Sequence, residues 1–175
     1  MTIPVVSIVG TSNSGKTTLM EKLIAELKRR GYRVATIKHN RHGFEIDHEG
    51  KDSWRHRHAG AATTIVASPS QVAVIEDVDR DYDIAELVNI YIRKADIVLA
   101  EGFKANPLPK IEVYRSELKR GRLTGPNDNL IALAVDNRDN PDPDVPCFDR
   151  NDAVAIVDLI IERLLKGRQQ INPTV

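Results

Sequence analysis

Cysteine is all but absent. Cys147 stands alone, which excludes an intramolecular disulfide and is what a chain kept in a reducing compartment would carry, its one thiol buried and inert. There is no excess of charge: Lys plus Arg and Asp plus Glu number 25 each, so no global field points to nucleic acid or an anionic membrane, and recognition by charge must be local. Aromatics make up 5% of the chain, too few among the basic residues for the stacking surfaces of an RNA- or DNA-binding protein. Long hydrophobic runs are missing too. The apolar stretch Ile3 to Val9 is too short to span a bilayer and lacks both a basic leader and a small-residue cleavage site, so a cytoplasmic location without a membrane partner is expected. There is no internal repeat or coiled coil. The 175 residues, 41% apolar and 29% charged, have the size and balance of a single domain, residues 1–175.

Ile3, Val5, Val6, Ile8 and Val9 form a nearly continuous β-branched run ending at Gly10, the pattern of a central parallel strand buried on both faces. Leu19, Met20, Leu23, Ile24 and Leu27 then recur at helical spacing, and Gly31 follows basic Lys28, Arg29 and Arg30 as a stop. Val34 to Lys38 and Ile97 to Ala100 read as further strands after helix-like segments. That alternation builds an α/β fold, a three-layer α/β/α arrangement around a mostly parallel sheet. Thr63 to Ala67 and Gln71 to Ile75, separated by Ser68, Pro69 and Ser70, predict an antiparallel hairpin extension. A helix is expected from an Asp83 cap through Ile84, Leu87, Val88 and Tyr91, and strands at Ile111 to Tyr114 and Ile131 to Val135. Ser116 to Asn129, polar and broken by Gly121, Gly125 and Pro126, is either a mobile functional loop or an ordinary surface connection. Asn137 to Pro146 reads as a loop, and Asn151 is expected to cap a last helix to about Lys166.

The chemistry begins at Gly10-Thr11-Ser12-Asn13-Ser14-Gly15-Lys16-Thr17, which satisfies the Walker A spacing between an apolar strand and a helix, the context that confirms the motif. The residue types follow from the task. Glycines let backbone N–H groups wrap a phosphate, the helix N-terminus favours negative charge, Lys16 reaches the β and γ phosphates, and the Thr17 hydroxyl ligates Mg²⁺. Such a metal also calls for a carboxylate at the end of a neighbouring parallel strand. Glu101 closes the Ile97–Ala100 run where a parallel sheet opens toward its ligand, the alternative being a strand-end surface glutamate. Asp47, after the second strand, is the second acidic candidate, against a solvated loop carboxylate.

Together the Walker A loop, Ile37-Lys38-His39, Asp47 with Gly50-Lys51-Asp52-Ser53, Ala59-Gly60-Ala61, Glu101-Gly102-Phe103-Lys104 and Lys110-Ile111-Glu112-Val113-Tyr114-Arg115 resemble the molybdopterin-guanine dinucleotide biosynthesis protein B family over nearly the whole chain. The resemblance implies a P-loop GTP-binding homodimer with weak GTPase activity. It would act as an adapter for the molybdenum cofactor guanylyltransferase, with Mg²⁺ and GTP as cofactors and molybdopterin as a further ligand whose direct binding the residues leave open. By the same resemblance Gly15, Lys16 and Thr17 hold phosphates and Mg²⁺, Lys16 and Glu101 serve catalysis, Thr18 adds a hydroxyl at the helix start, and Asp47 and Glu101 serve the metal or its waters. Lys51, Asp52 and Lys104 line the site. One departure is plain: many GTPases read guanine with Asn-Lys-x-Asp, and this chain has only Asn137-Arg138-x-Asn140, flanked by Asp136 and Asp139, as a loose echo.

All five histidines fall between His39 and His58, but their spacing lacks a metal-binding pair, so the cluster with Lys38, Arg41, Lys51, Arg55 and Arg57 reads as a face for a phosphate-bearing ligand or an acidic partner, or simply as a solvated basic surface. Trp54 either stacks on a pterin or guanine ring or packs. The rival from another class is a small-molecule kinase using ATP, with Arg115 to Arg122 as its lid; a scaffold that binds nucleotide without turnover is a third reading.

Overall fold

A computed structural model describes residues 3–40, 42–125, 127–136, 142 and 144–167. In chain order the elements are β1 (Val5–Val9), α1 (Lys16–Arg29), β2 (Val34–Lys38), α2 (Asp52–His58), β3 (Thr63–Ala67), β4 (Val72–Glu76) and α3 (Ile84–Tyr91). They continue with β5 (Ile97–Glu101), β6 (Lys110–Tyr114), β7 (Leu130–Val135), β8 (Cys147–Asp149) and α4 (Ala153–Ile160), which runs on through a wider π-helical turn, Ile161–Leu165. The elements fall into two compact units, Met1–His39 with Ile84–Val175, and Asn40–Asp83.

The first unit holds a six-stranded sheet in the order β2-β5-β1-β6-β7-β8, each neighbouring pair parallel. Alternation along the strands explains the layers. In β5, Ile97 and Leu99 join a core with Leu19, Leu23 and Leu27 of α1 and Ile156 and Ile160 of α4, while Val98 and Ala100 join Ile84 and Val88 of α3 on the opposite face. In β1, Val6 and Ile8 take the α1 side and Val5 the other. Each fully buried leucine or isoleucine contributes roughly 1.5–3 kcal/mol by leaving water, so the α1 side carries most of the apolar stabilisation. This is the three-layer α/β/α arrangement of P-loop proteins, with β1 beginning two residues after Ile3 and the other long strands within one residue of their expected bounds.

Two details differ from expectation. Asp152, not Asn151, caps α4: its carboxylate accepts from Ala155 N at 3.0 Å, while Asn151 Oδ1 accepts instead from Lys22 Nζ at 2.6 Å. The segment 116–129 is more than a plain surface connection in its middle. The face of β6 opposite α1 carries Lys110 and Glu112, both essentially fully buried, and this segment covers it. Glu112 accepts from Leu123 N at 2.6 Å, from Thr124 N at 3.2 Å and from Thr124 Oγ1, and pairs with Arg122 at 3.6 Å. Lys110 Nζ donates to the carbonyls of Asp128 at 2.9 Å, Leu108 at 3.3 Å and Asn106. Burial pushes the Lys110 ammonium below its ordinary pKa, with Asp128 opposing.

In the second unit β3 and β4 pair antiparallel as a two-stranded sheet of their own. The Ser68-Pro69-Ser70 turn is fastened by Ser68 Oγ, which accepts from Gln71 N at 3.0 Å and Ser70 N at 3.3 Å. Helix α2 buries none of its residues.

Candidate functional site

The turn between β1 and α1 is built by two glycines for two reasons. At Gly10 a Cβ would stand 2.6 Å from both Ser14 Oγ and the Val113 carbonyl, so no larger residue fits. At Gly15 the backbone is left-handed, φ 97°, and opens α1 without a side-chain cap or an acidic residue in the first turn. The first N–H groups of α1 therefore have no intrahelical partner and point out of a helix end that favours negative charge. Ser14 Oγ, fully buried, has no hydrogen-bond partner among the described residues, and Lys16 Nζ folds back to donate to the Thr11 carbonyl at 2.8 Å. Burial lowers the Lys16 pKa; Glu101 raises it and Lys38 lowers it further. A cradle of amides with an orphaned hydroxyl and a partly desolvated ammonium has the donor set that phosphate oxygens require.

Glu101 reaches this loop because of strand parity. Following Ile97 and Leu99, it is the third residue of β5 on the α1 side, and it sits at the carboxyl edge where α1 begins. Thr17 Oγ1 lies 3.4 Å from each Glu101 oxygen, longer than the 2.5–3.0 Å of an ordinary O–H···O bond. Lys38 Nζ stands 3.8 Å from Oε1. A hydroxyl and a carboxylate at this loose spacing fit Mg²⁺, which takes few protein ligands and fills its octahedron with phosphate oxygens and water. After Glu101 the chain turns through two left-handed residues, Gly102 and Phe103, whose ring packs 4.7 Å from His39. Lys104 follows, exposed.

Thus Gly10 to Lys16, Thr17 and Glu101 come together, with Thr18 exposed in the first turn of α1. Asp47 belongs to the second unit, half-buried, accepting from Ser53 Oγ at 3.1 Å and His48 N at 2.9 Å. Lys51 and Asp52 begin α2 there, and Trp54 stacks on His58 with centroids 3.7 Å apart while its Nε1 donates to Glu45, so one ring face is already covered. Asn137, Arg138, Asp139 and Asn140 lie outside the described residues.

Sequence reasoning overlooked an ionic cluster at the same carboxyl edge. Asp136, just after β7, accepts from Arg115 Nε at 2.8 Å and pairs through its other oxygen with Arg150, which follows β8. Arg115 also donates to Glu117 at 2.9 Å, and these carboxylates hold its pKa above the ordinary arginine value. A Cβ on Gly15 would stand 2.9 Å from Arg150 Nη1, so this guanidinium borders the phosphate loop. The signal was faint because β8, the strand that delivers Arg150, is three residues long.

Comparison with known proteins adds an independent line. The family model of molybdopterin guanine dinucleotide synthesis protein B matches residues 5–136. The chain is similar to the molybdopterin-guanine dinucleotide biosynthesis adapter protein of Haemophilus influenzae, 41% identical over 134 residues covering 76% of this chain and 75% of that one. It is 36% identical to the adapter protein of the same name from Escherichia coli, over 94% of this chain and 95% of that one. Among solved structures, that of Bacillus subtilis MobB aligns with a TM-score of 0.74 at 32% identity, covering 91% of this chain and 97% of that one.

Proposed function

Because the chain belongs to the molybdopterin guanine dinucleotide synthesis protein B family, we propose that it is an adapter in molybdopterin guanine dinucleotide formation, binding Mg²⁺-GTP and assisting the guanylyltransferase that makes the dinucleotide. The observation that carries this reading is the Gly10–Thr17 loop: uncapped amides, the orphaned Ser14 hydroxyl and Lys16, with Glu101 beside the Thr17 hydroxyl. In this reading the amides and Lys16 hold the β and γ phosphates, Thr17 and Glu101 hold Mg²⁺, and Thr18 adds a hydroxyl. The bound metal would neutralise charge developing on the phosphate oxygens. Glu101 is committed to the metal and Lys16 to the phosphates, which leaves no strong base for water and makes hydrolysis slow, as an adapter requires. The ATP-dependent kinase finds less support: Arg122, in the segment that would form its lid, is tied to Glu112 and to Asp142 at 2.6 Å.

Equilibrium titration with labelled GTP and ATP, with and without Mg²⁺, tests the reading. GTP is expected to bind in preference to ATP, and Mg²⁺ to tighten GTP binding in the wild type. In Glu101→Ala the Mg²⁺ effect should shrink by about tenfold, the loss of one charge-assisted ligand. An undiminished Mg²⁺ effect would take Glu101 out of the metal site, and a preference for ATP would restore the kinase.

The same reading includes a homodimer, and the β3–β4 hairpin is the surface we assign to it. Ile65, Val66, Val72 and Val74 are 46–67% exposed on a two-stranded sheet. Such a sheet is marginal alone, and its open edges invite strand addition. Removing the hairpin, with a short Gly-Ser turn in its place, should yield monomers in sedimentation or light scattering; a dimer that persists refutes the assignment.

A further inference from the structure

The Thr17–Glu101–Lys38 group lies on the β5 and β2 side of β1, and the Arg115–Asp136–Arg150 cluster lies on the β6, β7 and β8 side, with the phosphate loop between them. A triphosphate whose terminal phosphates sit with Thr17 and Glu101 leads its nucleoside out over the opposite strand ends, in the crevice where parallel sheets bind ligands. The groups waiting there decide what kind of base can be read. Each Asp136 oxygen is paired with one arginine, so the charge of this carboxylate is already answered within the cluster. The arginines are the opposite case. A guanidinium has five N–H donors in a fixed fork, a carboxylate takes at most two, and the rest must find acceptors. Arg115 is further occupied by Glu117, whereas Arg150 has only Asp136 as a carboxylate partner among the described residues and turns Nη1 toward Gly15. Side chains 17–27% exposed make the cluster reachable but largely dry, where hydrogen bonds discriminate best.

We propose that Arg150, positioned by Asp136, is the guanine-selecting residue of this site, donating from its fork to O6 and N7 of the base; the inference rests on the guanosine-nucleotide reading above. The chemistry separates the purines. Guanine offers two adjacent acceptors, O6 and N7, which an arginine meets bidentately, while adenine shares N7 but places an amino donor where O6 stands, so one donor of the fork is left facing another donor. The mode of recognition is thus the reverse of an Asp that accepts from guanine N1 and N2, and it explains how a chain without Asn-Lys-x-Asp can still prefer guanine.

The experiment is competition binding in Mg²⁺ by GTP, ITP, 7-deaza-GTP and ATP, on the wild type, Arg150→Ala and Arg150→Lys, with unfolding midpoints recorded for each. Wild type should hold ITP, which keeps O6 and N7, about as well as GTP, and 7-deaza-GTP, which lacks N7, roughly tenfold more weakly. Arg150→Ala should lower GTP affinity about tenfold or more, leave ATP nearly unchanged, and no longer distinguish 7-deaza-GTP from GTP. Arg150→Lys keeps the charge beside Asp136 but not the fork, so it should lose discrimination while remaining folded even if the alanine variant does not. Equal losses of GTP and ATP would make Arg150 a phosphate contact and overturn the proposal, as would an unchanged GTP-to-ATP ratio, or ITP bound tenfold more weakly than GTP. If the wild type does not prefer GTP over ATP, the guanosine-nucleotide reading itself falls, an outcome distinct from a preference that survives loss of Arg150.

Discussion

Lys16→Ala is expected to remove GTP binding from this protein while leaving it folded. In the structure the ammonium donates to the Thr11 carbonyl across the loop and is lowered in pKa by burial, with Glu101 the compensating charge. A phosphate chain arriving on the α1 N-terminus supplies far stronger compensation. Truncating one member of a desolvated charge pair typically costs about 2–5 kcal/mol, which corresponds to a loss of roughly thirty-fold to several thousand-fold in affinity. The cost to the fold is small, since one side-chain bond to a carbonyl is lost and the helix gains a residue of higher propensity. Calorimetric or fluorescence titration measures the first quantity and urea unfolding the second. Unchanged affinity in a folded Lys16→Ala protein would remove the phosphate assignment altogether.

Glu112→Ala is expected to be the most destabilising single change outside the apolar core. The carboxylate is buried on β6 and accepts from Leu123 N, Thr124 N and Thr124 Oγ1 while pairing with Arg122. Alanine would leave those donors in a dry site with the Arg122 charge only partly answered by Asp142. Breaking a buried pair of this kind costs about 3–5 kcal/mol, a large share of a domain's net stability. Glu112→Gln keeps an acceptor oxygen and the shape, and should lose less. Urea unfolding of the two variants checks the order; a Glu112→Ala loss below about 1 kcal/mol would mean that water or a rearranged segment 116–129 satisfies the donors.

Much of this was readable from residues alone, for physical reasons that differ from place to place. The run Val5 to Val9, the loop to Thr17 and the stripe Leu19, Leu23, Leu27 were legible because burial on both faces of a strand and on one face of a helix imposes periods that few other arrangements share. Glu101 was legible because its parity and its place at a strand end both follow from counting. Arg150 was not. Its position depends on β8, whose Cys147, Phe148 and Asp149 are too few to show a period and pair only because β7 is already there. The cap of α4 was missed by one residue, since Asn151 and Asp152 are equally good caps in sequence and only the contact with Lys22 draws Asn151 away. Glu112 and Lys110 stood out as members of a motif, but nothing in their spacing told that both are buried, because their partners are backbone groups, which sequence does not advertise.

Those two charges also bear on how the sheet finds its alignment. Along β6 Ile111 and Val113 face α1 and α4, and Lys110 and Glu112 face the covering segments, so the strand carries opposite chemistry on its two sides. A slip of one residue against β1 would exchange the sides, driving an ammonium and a carboxylate into the leucine layer and stranding the amides of Leu123 and Thr124. An all-aliphatic β6 would tolerate that slip far better. The parallel pairing of β1 with β6 sets Val9 opposite Glu112 and holds the Val113 carbonyl against Gly10, so the strand's buried charges act as a key that fixes the height at which the loop closes.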